Sequence, residues 1–506
     1  MAGAGVSYSL QQAFRLKGHD SAVQCCAASE AWVASGGEDG RLLVHDLSAA
    51  SSAGASPDAA PQPPSAPGPS TKFSAASPAT RPLLSLALTS ADGQPAAVAA
   101  LAFNPAAAHA ASLFAAAGSL VHHVDTRAGS VVQTFTGSKE EVGGLAVACK
   151  GGHLVAGDDA GEVQVYDLAA GKQYKSIRNV HKSICSSVAF RAHKPWDLLS
   201  GGLDSTVAKY DFSRPKCIDR WDMAALSAAA GAAGGGGGGG QIWNPPFVHQ
   251  VAVPPAEERP WCQWVAAARG DGAVAVLDAD VSSAASGSSG PTTQVAGARG
   301  GGARGGRGSG AASSKAGAAD KGTLAIPLVL DSEAGGHTRP VCSVAWAPQQ
   351  ASASASSSGA PGAAAAGPGR LYSGGEDARV VVWGVADALA ARAAGHVLVP
   401  PGQLRGGQTS GGSGAAGAGG ESGDGEAEQA SEEAGGRERE GEGSGEGGDR
   451  GKGKVAERRT AVLAEVQHGR KINQLCCLAV EGQELVAVAA VSKFVSLYRL
   501  AEVELG

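Results

Sequence analysis

The sequence predicts an all-β fold: a seven-bladed β-propeller with disordered low-complexity insertions. Three observations predict it. Units of about 40 residues recur along the chain, each unit alternates apolar and polar residues with the period of a strand, and Gly- and Asp-rich turns separate the alternating runs. Because one four-stranded unit cannot bury both of its faces, seven units arranged around an axis would bury every sheet against its neighbours.

Three of the units carry the most complete pattern: a Gly-His turn or its equivalent, an alternating strand, a turn containing Asp, and a second alternating strand. They cover residues 16–47, 180–212 and 335–385. Their recurring polar and aromatic positions are His19, Ser35 and Asp39; His181, Ser200, Asp204 and Tyr210; and His337, Ser373, Asp377 and Trp383. Four weaker copies, which depend on strand alternation and position, cover residues 98–127, 142–168, 247–279 and 468–500.

This pattern resembles the WD-repeat family. The resemblance implies that the His, Ser, Asp and Trp of each unit form a hydrogen-bonded set that holds the strands of one blade together, since buried polar groups need partners. A Ser–His–Asp catalytic triad is the alternative, and its recurrence in three units counts against it. The family also closes its ring with an N-terminal strand, so we expect residues 9–16 to pair beside residues 495–500.

Composition breaks divide the chain further. The predicted division is blade 1 with the closing strand (1–48), an insertion (49–80), blade 2 (81–135), blade 3 (136–175), blade 4 (176–223), a poly-Gly/Ala linker (224–240), blade 5 (241–281), an insertion containing Arg-Gly repeats (282–322), blade 6 (323–400) with an internal insertion (349–369), an acidic linker (401–460) and blade 7 (461–506). The insertions and linkers are poor in large apolar residues, so they cannot offset their ordering entropy and are predicted to be disordered.

Charge and composition exclude several classes of protein. The 506 residues carry a formal net charge of −6, which argues against a dominant nucleic-acid surface. No apolar run has the length of a membrane helix, and the N-terminus lacks a signal-peptide core. We therefore expect an intracellular protein, in the cytoplasm, the nucleus or both. The nine cysteines form no C-x-x-C pair and are predicted to be reduced, mostly buried thiols.

No catalytic motif was found. The sequence contains no phosphate-binding loop, no H-E-x-x-H pair and no G-x-S-x-G elbow. We predict no catalytic residue, no metal site and no cofactor. The expected role is that of a monomeric, non-enzymatic scaffold for protein–protein interaction.

A more specific resemblance rests on residues 181–207, 241–253 and 466–500. These segments are similar to a group of WD-repeat proteins that are regarded as substrate receptors of cullin-4 RING ubiquitin ligases. Such receptors dock on the adaptor, damaged-DNA-binding protein 1, often through a W-D-x-R box at the end of a blade. Residues 124–127 read V-D-T-R, so Asp125 and Arg127 match the box and Val124 replaces its Trp. In the alternative interpretation Asp125 only ends a strand and Arg127 is a solvated turn residue.

An RNA-associated propeller is the competing hypothesis for function. Residues 299–307 form an Arg-Gly tract with Arg299, Arg304 and Arg307, and such tracts can bind RNA through charge and stacking. A basic run follows the acidic linker and is a candidate nuclear-localisation signal; it contains Arg450, Lys452, Lys454, Arg458 and Arg459.

Overall fold

The computed structural model describes residues 7–30, 32–48, 81–214, 216–233, 244–255, 261–281, 327–348, 369–401 and 458–503. These residues form seven antiparallel four-stranded sheets, which are the seven blades of a propeller, so the predicted fold class is confirmed. Within each blade the strands are named a to d from the inside of the ring outwards.

The chain begins with β1 (Ser7–Lys17) and then builds three blades in order. Blade 1 contains β2 (Val23–Ser29), β3 (Trp32–Gly37), β4 (Arg41–Asp46) and β5 (Leu84–Ala87). Blade 2 contains β6 (Val98–Phe103), β7 (Ser112–Ala117), β8 (Leu120–Asp125) and β9 (Ser130–Phe135). Blade 3 contains β10 (Val142–Val147), β11 (His153–Asp158), β12 (Val163–Asp167) and β13 (Lys172–Ile177).

Four further blades complete the ring. Blade 4 contains β14 (Cys185–Phe190), β15 (Asp197–Gly202), β16 (Thr206–Asp211) and β17 (Lys216–Asp222); blade 5 contains β18 (Val248–Ala252), β19 (Trp264–Arg269), β20 (Val274–Asp278) and β21 (Leu328–Leu330). Blade 6 contains β22 (Val341–Trp346), β23 (Arg370–Gly375), β24 (Arg379–Gly384) and β27 (Val462–Gln467); blade 7 contains β28 (Ile472–Val480), β29 (Gln483–Ala490), β30 (Phe494–Val503) and β1.

Few elements lie outside the blades in the described part of the chain. Helix α1 (Met223–Ala233) follows blade 4, and helix α2 (Val385–Ala393) follows β24. Single 3₁₀ turns cover Ala107–His109 and Trp261–Gln263, and a short parallel pair joins β25 (Val397–Leu398) to β26 (Arg458–Arg459).

The hydrophobic core lies between the blades. The seven a strands contact one another in a closed cycle around the axis. A cluster of buried apolar side chains fills each interface between neighbouring blades, from blades 1 and 2 around to blades 7 and 1. Because the sheets pack on both faces, the b and c strands are buried along almost their whole length.

The N-terminal strand closes the ring. Strand β1 runs antiparallel to β30, with Leu10 opposite Leu500 and Leu16 opposite Val495. Its side chains Leu10 and Leu16 are buried in the clusters on either side of blade 7. This is the pairing that the sequence predicted.

Three blade boundaries differ from the predicted ones. Strands β5, β21 and β27 each add the d strand to the preceding blade, although they follow the low-complexity segments in the chain. Residues 84–87 therefore belong to blade 1 and not blade 2, residues 328–330 to blade 5 and not blade 6, and residues 462–467 to blade 6 and not blade 7. A d strand has one unpaired edge and is partly exposed, so its apolar pattern is weak and the insertion hides which blade it completes.

The predicted disorder is wrong for part of the 224–240 linker. Residues 224–233 belong to α1, whose first turn is capped by Asp222: its Oδ1 accepts the N–H groups of Ala224 and Ala225 at 2.9 and 3.1 Å. Alanine has the highest helix propensity, so an alanine-rich stretch with a capping Asp forms a helix despite its low complexity. The predicted disorder is also wrong at the end of the acidic linker, since Arg458 and Arg459 form β26.

The other segments that were predicted to be disordered lie outside the described residues. They are 49–80, 234–240, 282–322, 349–368 and 402–457.

Candidate functional site

Alternation of strand direction gives the propeller two faces. The upper face carries the b–c turns and the connections from strand d to the next blade, and it includes His19 and Asp39 of blade 1. The lower face carries the a–b and c–d turns, and it includes Arg127 between β8 and β9. The two groups of predicted residues therefore lie on opposite faces.

Blade 6 contains the complete hydrogen-bonded set. Trp383 Nε1 donates to Ser373 Oγ at 2.8 Å, and Ser373 Oγ lies 2.8 Å from His337 Nε2. His337 Nδ1 lies 2.9 Å from Asp377 Oδ1, and the same carboxylate accepts the Thr338 N–H at 3.1 Å. Because a carboxylate only accepts, His337 Nδ1 carries the proton and Nε2 accepts from the serine. The chain of bonds ties strands b and c to the upper-face turn.

Blades 1 and 4 repeat the His, Ser and Asp part of this set. The distances are 2.9 Å for His19 Nε2 to Ser35 Oγ, 3.1 Å for His19 Nδ1 to Asp39 Oδ1, 2.8 Å for His181 Nε2 to Ser200 Oγ and 3.0 Å for His181 Nδ1 to Asp204 Oδ1. The structure therefore brings together the predicted residues of all three sets, with one exception.

The exception is Tyr210, which stands where blade 6 has its Trp. Its hydroxyl donates to the Val180 carbonyl at 3.4 Å and accepts from Arg220 at 3.0 Å, so it bonds away from Ser200. A tyrosine hydroxyl lies at the far end of its ring, beyond the position of an indole N–H, and it reaches the next carbonyl instead. The prediction that Tyr210 joins the set of Ser200 and His181 is corrected accordingly.

Hydrogen bonding lowers the pKa of the three aspartates. Burial raises the pKa of Asp204, but the bonds from His181, the Lys182 N–H and Thr206 outweigh it and hold that pKa well below its usual range. For Asp39 and Asp377 burial is likewise outweighed by bonds from the histidine and from backbone N–H groups. The ionised carboxylates are therefore fixed parts of the upper-face turns.

The Ser–His–Asp geometry resembles a catalytic triad, but the serines are enclosed. Ser35, Ser200 and Ser373 are 1%, 0% and 0% exposed. A hydroxyl without access to solvent cannot attack a substrate, so these sets hold the blades together. Among the described residues no group of three or more His, Cys, Asp or Glu side chains is placed to hold a metal ion.

A glycine beside each set was missed as a site residue. A Cβ atom at Gly37, Gly202 or Gly375 would lie less than 3 Å from Nδ1 of the histidine of its own set. The Gly-Gly pairs of the sequence predicted only a turn, whereas the second glycine makes room for the imidazole. The signal was present, because the same glycine stands two residues before each of the three aspartates.

On the lower face, Asp125 and Arg127 lie in the turn that follows strand c of blade 2. Asp125 Oδ1 accepts the N–H groups of Arg127 and Ala128 at 2.8 and 3.1 Å, and these bonds lower the pKa of Asp125. Thr126 is buried, with its N–H and its hydroxyl donating to the Ala111 carbonyl at 2.9 and 3.0 Å. Arg127 itself is exposed. The turn is therefore fixed, and its arginine points to solvent.

The aspartate of this box is a recurring turn cap. In blades 1, 3, 4 and 5 the equivalent carboxylates accept a backbone N–H two or three residues on: Asp46 from Ser48, Asp167 from Ala170, Asp211 from Ser213 and Asp278 from Asp280. Of these five turns, that of blade 2 has an arginine two residues after the aspartate. The role of Asp125 as a turn cap is therefore common to five blades, whereas an arginine at the position of Arg127 is particular to blade 2 among these turns.

Two exposed aromatic side chains on the lower face were also missed. Tyr174 and Trp196 are 42% and 46% exposed. Strand alternation gave no signal for them, because Tyr174 is an unpaired residue in a strand irregularity and Trp196 lies in an a–b turn.

Other sequence predictions meet the structure only in part. All nine cysteines are free thiols; four are buried, four are half-buried and Cys217 is exposed. Neither described helix has the length and apolarity needed to cross a bilayer. The Arg-Gly tract 299–307 and Arg450, Lys452 and Lys454 of the basic run lie outside the described residues.

Comparisons with known proteins agree with the fold. A family model described as WD domain, G-beta repeat, matches residues 10–46. The WD repeat-containing protein 53 homolog of Dictyostelium discoideum is 24% identical over 143 residues, which are 27% of this chain and 38% of that protein. The matched region thus spans well under half of this relative. Together with the seven four-stranded blades, these matches confirm the resemblance predicted from the sequence. The chain is a seven-bladed β-propeller that resembles WD-repeat proteins, among them the WD repeat-containing protein 53 homolog of Dictyostelium discoideum.

Proposed function

We propose that this protein is a non-catalytic, monomeric scaffold inside the cell and that it serves as a substrate receptor of a cullin-4 RING ubiquitin ligase. WD-repeat propellers generally bind proteins, and the enclosed His–Asp–Ser sets leave the faces and the rim for partners. The ligase role is suggested by the resemblance of residues 124–127 to the adaptor-docking box of such receptors. The docking residue that we propose is Arg127, and its partner is damaged-DNA-binding protein 1.

The observation that carries this proposal is the presentation of Arg127. Its backbone is held by Asp125, and the neighbouring Thr126 is buried and bonded to Ala111. Because the backbone of the turn is already fixed, only the arginine side chain itself has to be ordered when it binds. Its planar fork can form two parallel hydrogen bonds with a carboxylate or with backbone carbonyl groups of a partner.

A pocket beside Arg127 would receive a neighbouring side chain of the partner. The pocket has a volume of about 190 Å³. It is lined by side chains of blades 1 and 2: Ser29, Glu30, Trp32, Ala107, Ala108, Ala110, Ala111 and Arg127. Four alanines and the indole of Trp32 line the pocket next to the guanidinium, together with the polar side chains of Ser29 and Glu30. Arginine and tryptophan are residue types enriched among the strongest contacts of protein interfaces.

The test is to compare Arg127→Ala with the wild-type protein for binding to purified damaged-DNA-binding protein 1. We expect the variant to bind at least about tenfold more weakly, because the lost contact includes a bidentate hydrogen bond. Arg41→Ala is the matched control, since Arg41 is an exposed arginine on the upper face, 3.8 Å from Asp20. Thermal unfolding of all three proteins should be the same, because neither arginine is buried.

Equal binding by Arg127→Ala and the wild-type protein would show that residues 124–127 are not the docking box. If the wild-type protein does not bind the adaptor, the ligase role is wrong. Loss of binding in both arginine variants would point to a general electrostatic effect and not to a docking residue.

A further inference from the structure

The lower face between blades 3 and 4 presents a group of four rings packed edge to face or at a tilt, which we call the aromatic patch: His153, Tyr174, Trp196 and Phe212. The ring centroid of His153 lies 5.7 Å from that of Tyr174, 6.1 Å from that of Trp196 and 5.4 Å from that of Phe212. Phe212 is buried beneath the others, whereas Tyr174 and Trp196 are 42% and 46% exposed. The patch is therefore continuous and half open to solvent.

Strand irregularity turns Tyr174 outwards. In the pairing of β12 with β13, Val165 lies opposite Lys175 and Tyr166 opposite Gln173, so Tyr174 is an extra, unpaired residue. Such a bulge redirects a side chain away from the sheet. The equivalent extra residue of β17 is Ile218, which is 47% exposed. In these two blades the outward position of strand d thus holds a large apolar side chain.

Trp196 is held by its turn. The Trp196 carbonyl accepts the Phe212 N–H at 3.1 Å, and the next residue, Asp197, donates its N–H to the Lys194 carbonyl at 3.0 Å. The turn of blade 3 is joined to this turn, because Cys149 Sγ contacts the Ala192 carbonyl at 3.2 Å. The turn fixes the backbone and the Phe212 ring, 5.3 Å away, packs against the indole, which together favour the use of Trp196 as an anchor.

The surroundings of the aromatic patch are basic. The cations of the turns and strand starts around it are Lys150, Lys172, Lys175, Arg214 and Lys216, of which all but Lys175 are exposed. Lys175 donates to the Ser213 carbonyl and lies 4.9 Å from the centre of the Tyr174 ring. The carboxylates of the two c–d turns, Asp167 and Asp211, are engaged as turn caps. In the turn that contains Trp196, Asp197 is paired with Arg191 and Lys194 with Asp280. The other five cations therefore outnumber the two turn-cap carboxylates around the exposed indole and phenol.

We propose that the aromatic patch binds a short acidic segment of a partner protein, with an apolar side chain against Trp196 and Tyr174 and carboxylates against the surrounding lysines and Arg214. Apolar rings surrounded by cations complement a segment that alternates apolar and acidic residues. The patch lies on blades 3 and 4, whereas Arg127 belongs to blade 2. It is thus a site separate from the proposed adaptor contact.

A nucleic acid would use the same cations and rings, but the charge of the propeller outside the patch favours a short peptide. The described residues contain 28 Lys and Arg and 30 Asp and Glu, and without the five cations and two carboxylates of the patch 23 and 28 remain, so a long polyanion that extends beyond the patch would meet a net acidic surface. A short acidic segment stays within the basic area. The rings also pack against one another edge to face, which leaves less open ring surface for stacking of successive bases.

The experiment is a selection of displayed random peptides on the full-length protein, with a counter-selection on Trp196→Ala. We expect the surviving peptides to be enriched in Asp and Glu next to Leu, Ile, Phe or Trp. A fluorescent synthetic peptide of the strongest surviving sequence should bind at least about tenfold more weakly to Trp196→Ala and to Lys172→Glu. Binding should weaken as salt is added, because charge contributes to it.

Matched controls lie on the upper face: Val491→Ala removes another exposed apolar side chain, and Lys139→Glu reverses another exposed cation. Both should bind the peptide as the wild-type protein does. Lys172→Glu alters an exposed position, so it tests the site even where Trp196→Ala folds poorly. Peptides without acidic enrichment, or unchanged binding by Lys172→Glu, would overturn the proposal. Tighter binding of oligouridylate than of the peptide, lost with Trp196, would overturn it in favour of an RNA site.

The result is independent of the ligase proposal. If Arg127→Ala still binds the peptide and the adaptor test fails, the aromatic patch is supported as a binding site and the adaptor contact is ruled out. Loss of peptide binding by Arg127→Ala would contradict the separation of the two sites.

Discussion

Blades 3 and 4 are neighbours with the same four-stranded fold, yet they fill the space beside their upper-face turns with different polar groups. Blade 4 places His181 between Ser200 and Asp204 and keeps Gly202 beside the imidazole. Blade 3 has Ser138 where blade 4 has its histidine. The position of Gly202 is taken there by Asp158, which is buried and accepts the Glu162 N–H at 2.9 Å.

The difference teaches that the histidine and the glycine are one unit. A side chain at position 202 would overlap the imidazole, whereas a serine at the histidine position leaves space that a carboxylate can fill. The pKa values of the two carboxylates shift in opposite directions. Hydrogen bonds outweigh burial and lower the pKa of Asp204, whereas burial raises the pKa of Asp158. The ionised carboxylate therefore stabilises blade 4 and destabilises blade 3 at neutral pH.

The largest expected effect comes from removing the histidine of blade 4. His181→Ala should lower the free energy of unfolding by about 3 kcal/mol, because Asp204 and Ser200 lose their partner while they remain largely buried. Ser138→Ala in blade 3 is the matched control and should change it by less than about 1 kcal/mol. Urea unfolding followed by circular dichroism measures both. Equal losses in the two variants would show that the set of blade 4 is not a special source of stability.

An intermediate effect is expected from adding a methyl group to the glycine of the set. Gly202→Ala should destabilise the protein by about 2 kcal/mol, since its Cβ would overlap His181 Nδ1 and approach Asp204 Oδ1. Gly143→Ala in blade 3 is the control, because nothing lies within 4 Å of the Cβ that it would add.

The double variant His181→Ser with Gly202→Asp copies the residues of blade 3 into blade 4. Its loss of unfolding free energy should be smaller than the sum of the losses in the two single variants. If the losses of unfolding free energy are additive, the histidine and the glycine contribute independently and do not form one unit.

The smallest effect concerns the carboxylate of blade 3 and depends on pH. Burial holds the folded-state pKa of Asp158 above the ordinary value of 3.8, so the fold favours its protonated form and the contribution of this group to stability falls as pH rises above 3.8. Asp158→Asn should therefore gain stability relative to the wild-type protein as pH rises from acidic to neutral, and the gain should level off above the folded-state pKa. Chemical unfolding at several pH values measures the difference. A difference that shrinks as pH rises would contradict the raised pKa.

Sequence patterns were sufficient for strands a to c of the blades that carry the His–Asp–Ser sets and for ring closure by the N-terminal strand. They failed for β5, β21 and β27, the d strands that follow long insertions. Strands a to c share buried neighbours close in the chain, so their pattern identifies them. A d strand contributes few buried side chains and is separated from its partner by the insertion, so pairing alone assigns it to a blade.

The candidate sites show the same division. Asp125 and Arg127 were found from a short motif, but the recurrence of Asp46, Asp167, Asp211 and Asp278 as turn caps appeared only in the structure. Tyr174 and Trp196 could not be found, because they belong to different blades and are brought to one patch only by His153, which packs against both.

The sequence by itself determined the seven-bladed fold, the polar sets of blades 1, 4 and 6, and the turn that displays Arg127. These features depend on residues close in the chain, whose spacing matches the period of a strand or the length of a turn. Only the tertiary structure decided which strands complete blades 1, 5 and 6, why glycine accompanies each histidine, and where exposed rings gather among cations. Those features depend on contacts between segments far apart in the chain, and ring closure sets their positions.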